Sequence, residues 1–291
     1  MKFDNFTMTT HQTCPTKYRI RIVEGMTSKR RSAALGYGGA LHEGLASWYK
    51  GQGFKDALAH IITGWPDDQP TEDWRTLQKC LDVFEEYVRR YGANESFQVV
   101  GADVGQPIVE QPFSLLLTDS QGNPLLTNDG DEIFYGGIFD TLTQEGGETI
   151  ILDHKTTSRF SDAYWDQFKP NNQMTGYMWA AGQLTQRPCN KTRINCIVSY
   201  EKGKTKFERN ITTRSAADFD EWRANVLYEA NEIERNRKAN FFPRREINCV
   251  GKYGNCEFFN ICSNPQEIRA QLLEQDFIHE PWDYERRVSN E

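Results

Sequence analysis

The segment Tyr135–Thr157, YGGIFDTLTQEGGETIILDHKTT, constrains this chain more tightly than any other stretch. Its Gly146-Gly147 pair suits a two-residue hairpin turn, which needs positive φ at both positions. With the turn there, Glu145 faces Glu148, and counting outward sets Asp140 opposite Asp153. Opposed residues of an antiparallel pair project from one sheet face, and Lys155, two positions beyond Asp153, joins them. Two facing carboxylates repel each other unless a cation lies between them. A lysine beside them suits an anionic substrate. The run ETIILDHK is apolar up to Asp153, so the three charges are expected where a buried strand opens to solvent, with Ile138 facing Lys155. Together they are the minimum equipment for metal-assisted phosphodiester cleavage.

The elements around the hairpin read as helices before it and a mixed pattern after it. In SAALGYGGALHEGLASWY, Leu41, Leu45, Trp48 and Tyr49 fall at helical spacing with His42 beside them. Residues 72–92 step Trp74, Leu77, Leu81, Phe84, Val88 and close on Gly92, the clearest helix of the chain. Strands are expected from about Phe97 to Lys155, including PIVEQPFSLLL and a turn at Gln121–Pro124. Residues 161–186 return to helix, interrupted at Pro170; RINCIVSY and KFERNIT read as strands, and 215–237 as a helix opened by Ser215. That order suits an α/β fold with a mixed central sheet flanked by helices.

With 291 residues the chain can bury a sizeable core. Its apolar runs are too short to span a bilayer, and MKFDNFTMTTHQ lacks a secretory apolar run, so a soluble, cytoplasmic protein is expected. The net charge of -7 argues against bulk coating of nucleic acid but is compatible with a local basic track. Basic clusters occur at Lys29-Arg30-Arg31, Arg89-Arg90, Lys202/Lys204/Lys206, Arg235/Arg237/Lys238 and Arg244-Arg245. Cys80, Cys189 and Cys196 fall in apolar elements, where a cysteine behaves as a small buried hydrophobe. Cys249, Cys256 and Cys262 instead crowd into NCVGKYGNCEFFNIC, with Cys14 far away in TCPTKYRI.

Gly137-Ile138-Phe139-Asp140, then Asp153-His154-Lys155, then Gln173-Met174-Thr175-Gly176-Tyr177 resembles the PD-(D/E)XK nuclease superfamily. More narrowly it resembles the RecB-type branch, whose motifs run His, GxxD, (D/E)xK, QxxxY; His42 in GGALHEGL matches the first. The resemblance covers roughly residues 14–262. It implies a restriction-endonuclease-like core. It also implies that His42, Asp140, Asp153 and the backbone carbonyl of His154 hold Mg²⁺ or Mn²⁺, with Lys155 orienting the nucleophile or offsetting charge. Gln173 and Tyr177, four apart and so on one helix face, are placed beside the site by the same resemblance. Glu110 is a weaker candidate for that cleft. Lys29, Arg30 and Arg31, just before the His42 helix, are the first choice for DNA phosphate contacts.

One RecB-type subgroup, which includes the CRISPR-associated iron–sulfur exonucleases and the AddB nuclease domain, ligates a [4Fe-4S] cluster with one cysteine before the core and three after it. Cys14, Cys249, Cys256 and Cys262 look like that arrangement; a Cys₄ set also suits zinc. Six residues, VGKYGN, separate Cys249 from Cys256, where the CRISPR-associated members have two, and Gly251 and Gly254 leave the loop free to fold back. A cluster there would staple the N-terminal and C-terminal segments together. The expected organisation is a nuclease domain over 1–265, with a core at about 97–200, a helical insert at about 50–95 and an acidic tail over 266–291. The expected activity is metal-dependent DNA exonuclease on single-stranded ends, in recombination, repair or end processing, from a prokaryotic or phage-encoded chain. No GxxxxGK[ST] loop accompanies it, so unwinding would fall to a helicase or recombination partner. An endonuclease of the same superfamily and a non-catalytic DNA-binding scaffold are the alternatives.

Overall fold

The computed structural model of the chain describes residues 1–30, 32–70, 72–251 and 254–283. It begins with β1 (Lys2–Asp4) and α1 (Asn5–Thr13). A capping box closes the N-terminus of α1: the Asp4 carboxylate accepts from Thr7 N–H at 2.7 Å, and the Thr7 hydroxyl accepts from Asp4 N–H at 2.9 Å. α2 (Pro15–Tyr18), a π-helical turn at Arg19–Val23 and β2 (Met26–Ser28) follow. Three helices come next, α3 (Ala33–Tyr49), α4 (Phe54–Thr63) and α5 (Leu77–Tyr91). Helix α5 starts later than its apolar spacing predicts, because Thr76 caps it by accepting from Lys79 N–H at 3.2 Å; Trp74 lies outside, its ring against Tyr37.

The strand-rich stretch holds β3 (Gln98–Val99), β4 (Val109–Leu116), β5 (Phe134–Glu145) and β6 (Glu148–Thr157). After a 3₁₀ turn at Asp162–Phe168 come α6 (Asn172–Thr185), β7 (Lys191–Val198), β8 (Lys206–Thr213) and α7 (Ala216–Lys238). The chain ends in β9 (Val250–Gly251), β10 (Gly254–Asn255), α8 (Phe259–Ser263), α9 (Gln266–Asp276) and β11 (Phe277–His279). Among the described residues a seven-stranded mixed sheet runs β1-β5-β6-β7-β8, with β3 and β4 also paired to β5. This is the mixed α/β architecture expected of a restriction-endonuclease-like fold.

Two compact units divide the chain. One comprises Arg31–Phe113 and Ile138–Phe219. In it β5 and β6 are antiparallel, β6 and β7 parallel, β7 and β8 antiparallel. Leu152, Ile197 and Phe207 from one sheet face join Leu41, Leu45, Ile61, Val83, Phe84 and Tyr87 of α3, α4 and α5 in a closed apolar core. Each such side chain contributes about 1.5–3 kcal/mol by leaving water. Cys80, Cys189 and Cys196 are buried in this unit, as small hydrophobes.

The other unit comprises Met1–Arg30, Ser114–Gly137 and Asp220–Glu291. Here β1 runs parallel to the first residues of β5, pairing Lys2↔Phe134 through Asp4↔Gly136. Trp222 of α7 packs edge-on against Tyr135 at 4.9 Å. The acid-rich C-terminal stretch is folded as far as His279: β11 pairs with β2, and Phe277 is buried against Ile20, Phe258 and Ile261.

Candidate active site

The Gly146-Gly147 turn forms as the sequence dictates, with φ of 57° and 85°. The registered pairs run from Glu145↔Glu148 to Thr141↔Leu152, so Asp140 and Asp153 are the next residues outward. There His154 N–H donates to the Asp140 carboxylate at 2.7 Å. Lys155 Nζ lies 2.6 Å from Asp153 Oδ2, and the Asp153 carboxylate is almost wholly buried.

Helix α3 brings His42 to Asp140, with Nδ1 3.7 Å from Oδ2, and to Glu110 of β4, 3.6 Å from Oε1. The ligand atoms of His42, Glu110 and Asp140 lie within 4.8 Å of one another, and all three side chains are partly exposed. An imidazole and two carboxylates form a donor set that suits Mg²⁺ or Mn²⁺. Glu110 holds φ at +48°, a left-handed backbone that a non-glycine residue adopts only under constraint from its surroundings. The sequence offers Glu110 only as a weaker candidate for this cleft, equally readable as an exposed strand glutamate. Its closeness to His42 comes from tertiary packing, with the backbone outlier as its local signature. Asp153 is outside this trio of ligand atoms and is held by Lys155 instead.

Burial pulls the His42 imidazole down, but the Asp140 and Glu110 carboxylates outweigh it and lift its pKa to about 9. Burial pushes Asp153 up to about 6 against the opposing pull of Lys155, with the Asp140 charge adding to the rise. Asp140 is also raised, by burial first and Glu110 next, with His42 opposing. Lys155 is raised despite burial because Asp153 and Asp140 hold its proton. The metal-free site therefore stores protons where a divalent cation could replace them.

Helix α6 braces the strand that carries Asp140. The Tyr177 hydroxyl accepts from Ile138 N–H at 3.4 Å and hydrogen-bonds Gln173, and the Tyr177 ring packs on Phe139 and Phe113. Gln173 and Tyr177 thus share a face, as their spacing predicts.

In the other unit, Cys14, Cys249, Cys256 and Cys262 line one cavity of about 270 Å³, with Lys17, Arg244 and Arg245 around it. The six-residue interval is taken up by a hairpin: Val250 pairs with Asn255 and Gly251 with Gly254, and Cys256 N–H donates to Cys249 C=O at 2.8 Å. Arg245 N–H donates to Cys14 Sγ at 3.4 Å. Among the described residues no three of these sulfurs lie within 4.8 Å of one another.

Of the basic run chosen for phosphate contacts, Lys29 donates to the carbonyls of Glu274 and Gln275 at 2.8 and 2.7 Å, closing the C-terminus of α9. Arg30 is exposed, and Arg31 lies outside the described residues. No helix among the described residues is long and apolar enough to cross a membrane.

A family model of the PD-(D/E)XK nuclease superfamily matches residues 7–263. The chain belongs to that superfamily. A crystal structure of a "Putative exonuclease" from Eubacterium rectale is similar at 12% identity with a TM-score of 0.52, covering 100% of this chain and 94% of that one. The protein SSO0001, also 12% identical, aligns over 89% of this chain and 95% of its own with a TM-score of 0.34. No curated protein sequence matches this one.

Proposed function

We propose that this PD-(D/E)XK nuclease is a divalent-metal-dependent DNA exonuclease of the RecB-like type, acting on single-stranded ends. The observation that carries the reading is the convergence of His42, Glu110 and Asp140 beside the Asp153–Lys155 pair. His42, Glu110 and Asp140, with Asp153 and the His154 carbonyl from the next strand, are the residues that would hold Mg²⁺ or Mn²⁺. When bound, the cation polarises the phosphate and lowers the pKa of a water. Lys155 offsets charge that develops on the phosphate, and its ammonium is kept protonated by Asp153. Gln173 and Tyr177 hold the Asp140 strand in place. The resemblance to a protein described as an exonuclease favours attack from an end.

A [4Fe-4S] cluster on Cys14, Cys249, Cys256 and Cys262 belongs to the same reading. Four cysteines lining one cavity support it. The cluster would be structural, tying the first segment of its unit to the last. Recombination, repair or end processing, with a helicase or recombination partner, is the setting that fits this reading.

A net-acidic chain must hold DNA through local cations, so binding should fall steeply as salt rises. Because Lys29 is held by the end of α9, the proposed track falls to Arg30 and Arg31, with Lys202–Lys206 as the next choice. The decisive experiment is anaerobic purification followed by digestion of end-labelled linear and circular DNA, single- and double-stranded, with Mg²⁺ or Mn²⁺. Cleavage of single-stranded circles would replace the exonuclease reading with the endonuclease one, and no cleavage of any form would leave a DNA-binding scaffold.

A further inference from the structure

Behind the metal-binding trio lies a buried chain of polar side chains that the hydrolysis itself does not use. His154, Asn195 and Arg209 stand side by side in register across β6, β7 and β8. Arg209 makes a two-pronged pair with Glu95 at 2.7 and 2.8 Å and donates to the Tyr87 hydroxyl at 2.9 Å. The Tyr49 hydroxyl donates to Glu95 at 2.7 Å. From Nε, Arg209 donates to Asn195 Oδ1 at 2.9 Å.

That last bond fixes a proton two residues away. An arginine can only donate, so the oxygen of the Asn195 amide must face Arg209 and its NH₂ must face His154. Asn195 Nδ2 is 2.7 Å from His154 Nδ1, which is therefore an acceptor, and the imidazole proton resides on Nε2. The second Asn195 N–H is taken by the Tyr87 hydroxyl at 3.0 Å. The His154 ring is also clamped sterically, stacked on Tyr49 at 5.6 Å. Its other side reaches the site. The ring meets His42 edge-on at 5.7 Å, and its backbone N–H holds Asp140 at 2.7 Å. Nε2 is buried and has no hydrogen-bond partner among the described residues. A buried donor without a partner is unfavourable, so this orientation persists because the surrounding network imposes it.

We propose that Asn195 and Arg209 are positioning residues for the metal centre. Through His154 they fix the imidazole that abuts His42 and the peptide N–H that aims Asp140. The inference rests on reading His42, Glu110 and Asp140 as the cation site.

The test compares wild type with Asn195→Asp and Asn195→Leu, all metal-free at first. Asn195→Asp keeps the shape and the bond to Arg209 but presents only acceptors, so it must draw a proton onto His154 Nδ1. Imidazole ¹⁵N NMR should show an unprotonated Nδ1 in wild type and a protonated Nδ1 in Asn195→Asp, with both proteins folded by circular dichroism. Mn²⁺ titrated calorimetrically into each should then bind 10–100-fold more weakly to Asn195→Asp, the loss typical of disturbing groups that orient metal ligands. Asn195→Leu supplies a second measurement if Asn195→Asp fails to fold, with the same loss expected. Mn²⁺ affinity within twofold of wild type, in Asn195→Asp with its tautomer switched or in a folded Asn195→Leu, would overturn the proposal. Wild type that binds no Mn²⁺ overturns the cation site itself, and the proposal with it, a failure told apart by the wild-type titration alone.

Discussion

Glu110 offers the sharpest test, because its side chain and its backbone make opposite demands. A non-glycine residue at φ +48° costs of order 1–3 kcal/mol, and glycine removes that cost. Against the gain stand about 0.5–1 kcal/mol for the extra chain freedom of glycine and about 0–1 kcal/mol for losing a part-exposed contact with His42 at 3.6 Å. The net runs from about −1 to about +2.5 kcal/mol, so replacing Glu110 by Gly should leave the metal-free protein close to wild type or more stable, at most a few degrees higher in melting temperature for a chain of this size. Glu110→Ala retains a Cβ and the strain, so it should show no such gain. Both variants should bind Mn²⁺ much more weakly, since each loses a charged ligand of the trio. Thermal melts in EDTA and calorimetric Mn²⁺ titrations on the three proteins provide the readout. A Glu110→Gly protein that melts several degrees below wild type in EDTA would show that Glu110 is an ordinary structural strand residue.

The other expectations follow from the charges around the site and from the cysteines. Lys155→Met should abolish cleavage and retain Mn²⁺; it should cost about 3 kcal/mol at pH 8, because it strands a buried carboxylate. The cost should shrink at pH 5 in thermal melts, since Asp153 already takes its proton near pH 6. His42, raised to about 9, gives the metal-free protein stability that is fully present below about 6.5 and lost as pH rises through 9. Mn²⁺ must displace that proton, so calorimetric affinity should climb about tenfold per pH unit from 7 to 9, and His42→Gln should flatten the slope. Protein purified without oxygen should carry about four irons per chain, and Cys14→Ser should bleach it as fully as Cys256→Ser or Cys262→Ser. Stoichiometric zinc without iron would refute the cluster.

Local patterns carried their information faithfully. Two glycines that accept positive φ set the hairpin register and so the nearness of Asp140 to Asp153. Period-3.6 spacing located α3 and α5, and QxxxY put Gln173 and Tyr177 on one face of α6. What the sequence leaves illegible is long-range. β1 is three residues long and pairs with a strand 132 positions away, so it has no periodicity to read. The Arg209–Asn195–His154 line depends on the register of three strands separated by a helix. Lys29 reads as one member of a basic run, yet its ammonium is committed to two carbonyls at the end of a helix nearly 250 residues later. Charge patterning reports what a side chain is, and only packing decides what it touches.

The arrangement of counter-charges bears on why this site would take a divalent cation rather than any cation. Without metal each carboxylate already has a partner: Lys155 for Asp153, the His154 N–H for Asp140, and the protonated His42 shared by Asp140 and Glu110. Of these, only the His42 proton occupies the space among the three ligand atoms; Lys155 and the His154 peptide can stay where they are. Counting charge over the trio with both carboxylates ionised, the metal-free state carries +1 − 1 − 1 = −1, and a dication on neutral His42 gives +2 − 1 − 1 = 0. A monovalent cation would displace the proton and leave the sum at −1, so it gains nothing electrostatically over the proton it replaces. A dication gains a full charge for the loss of one proton, while the backbone and lysine contacts that aim the carboxylates stay in place. Selectivity for charge is thus built into the proton that the site already holds.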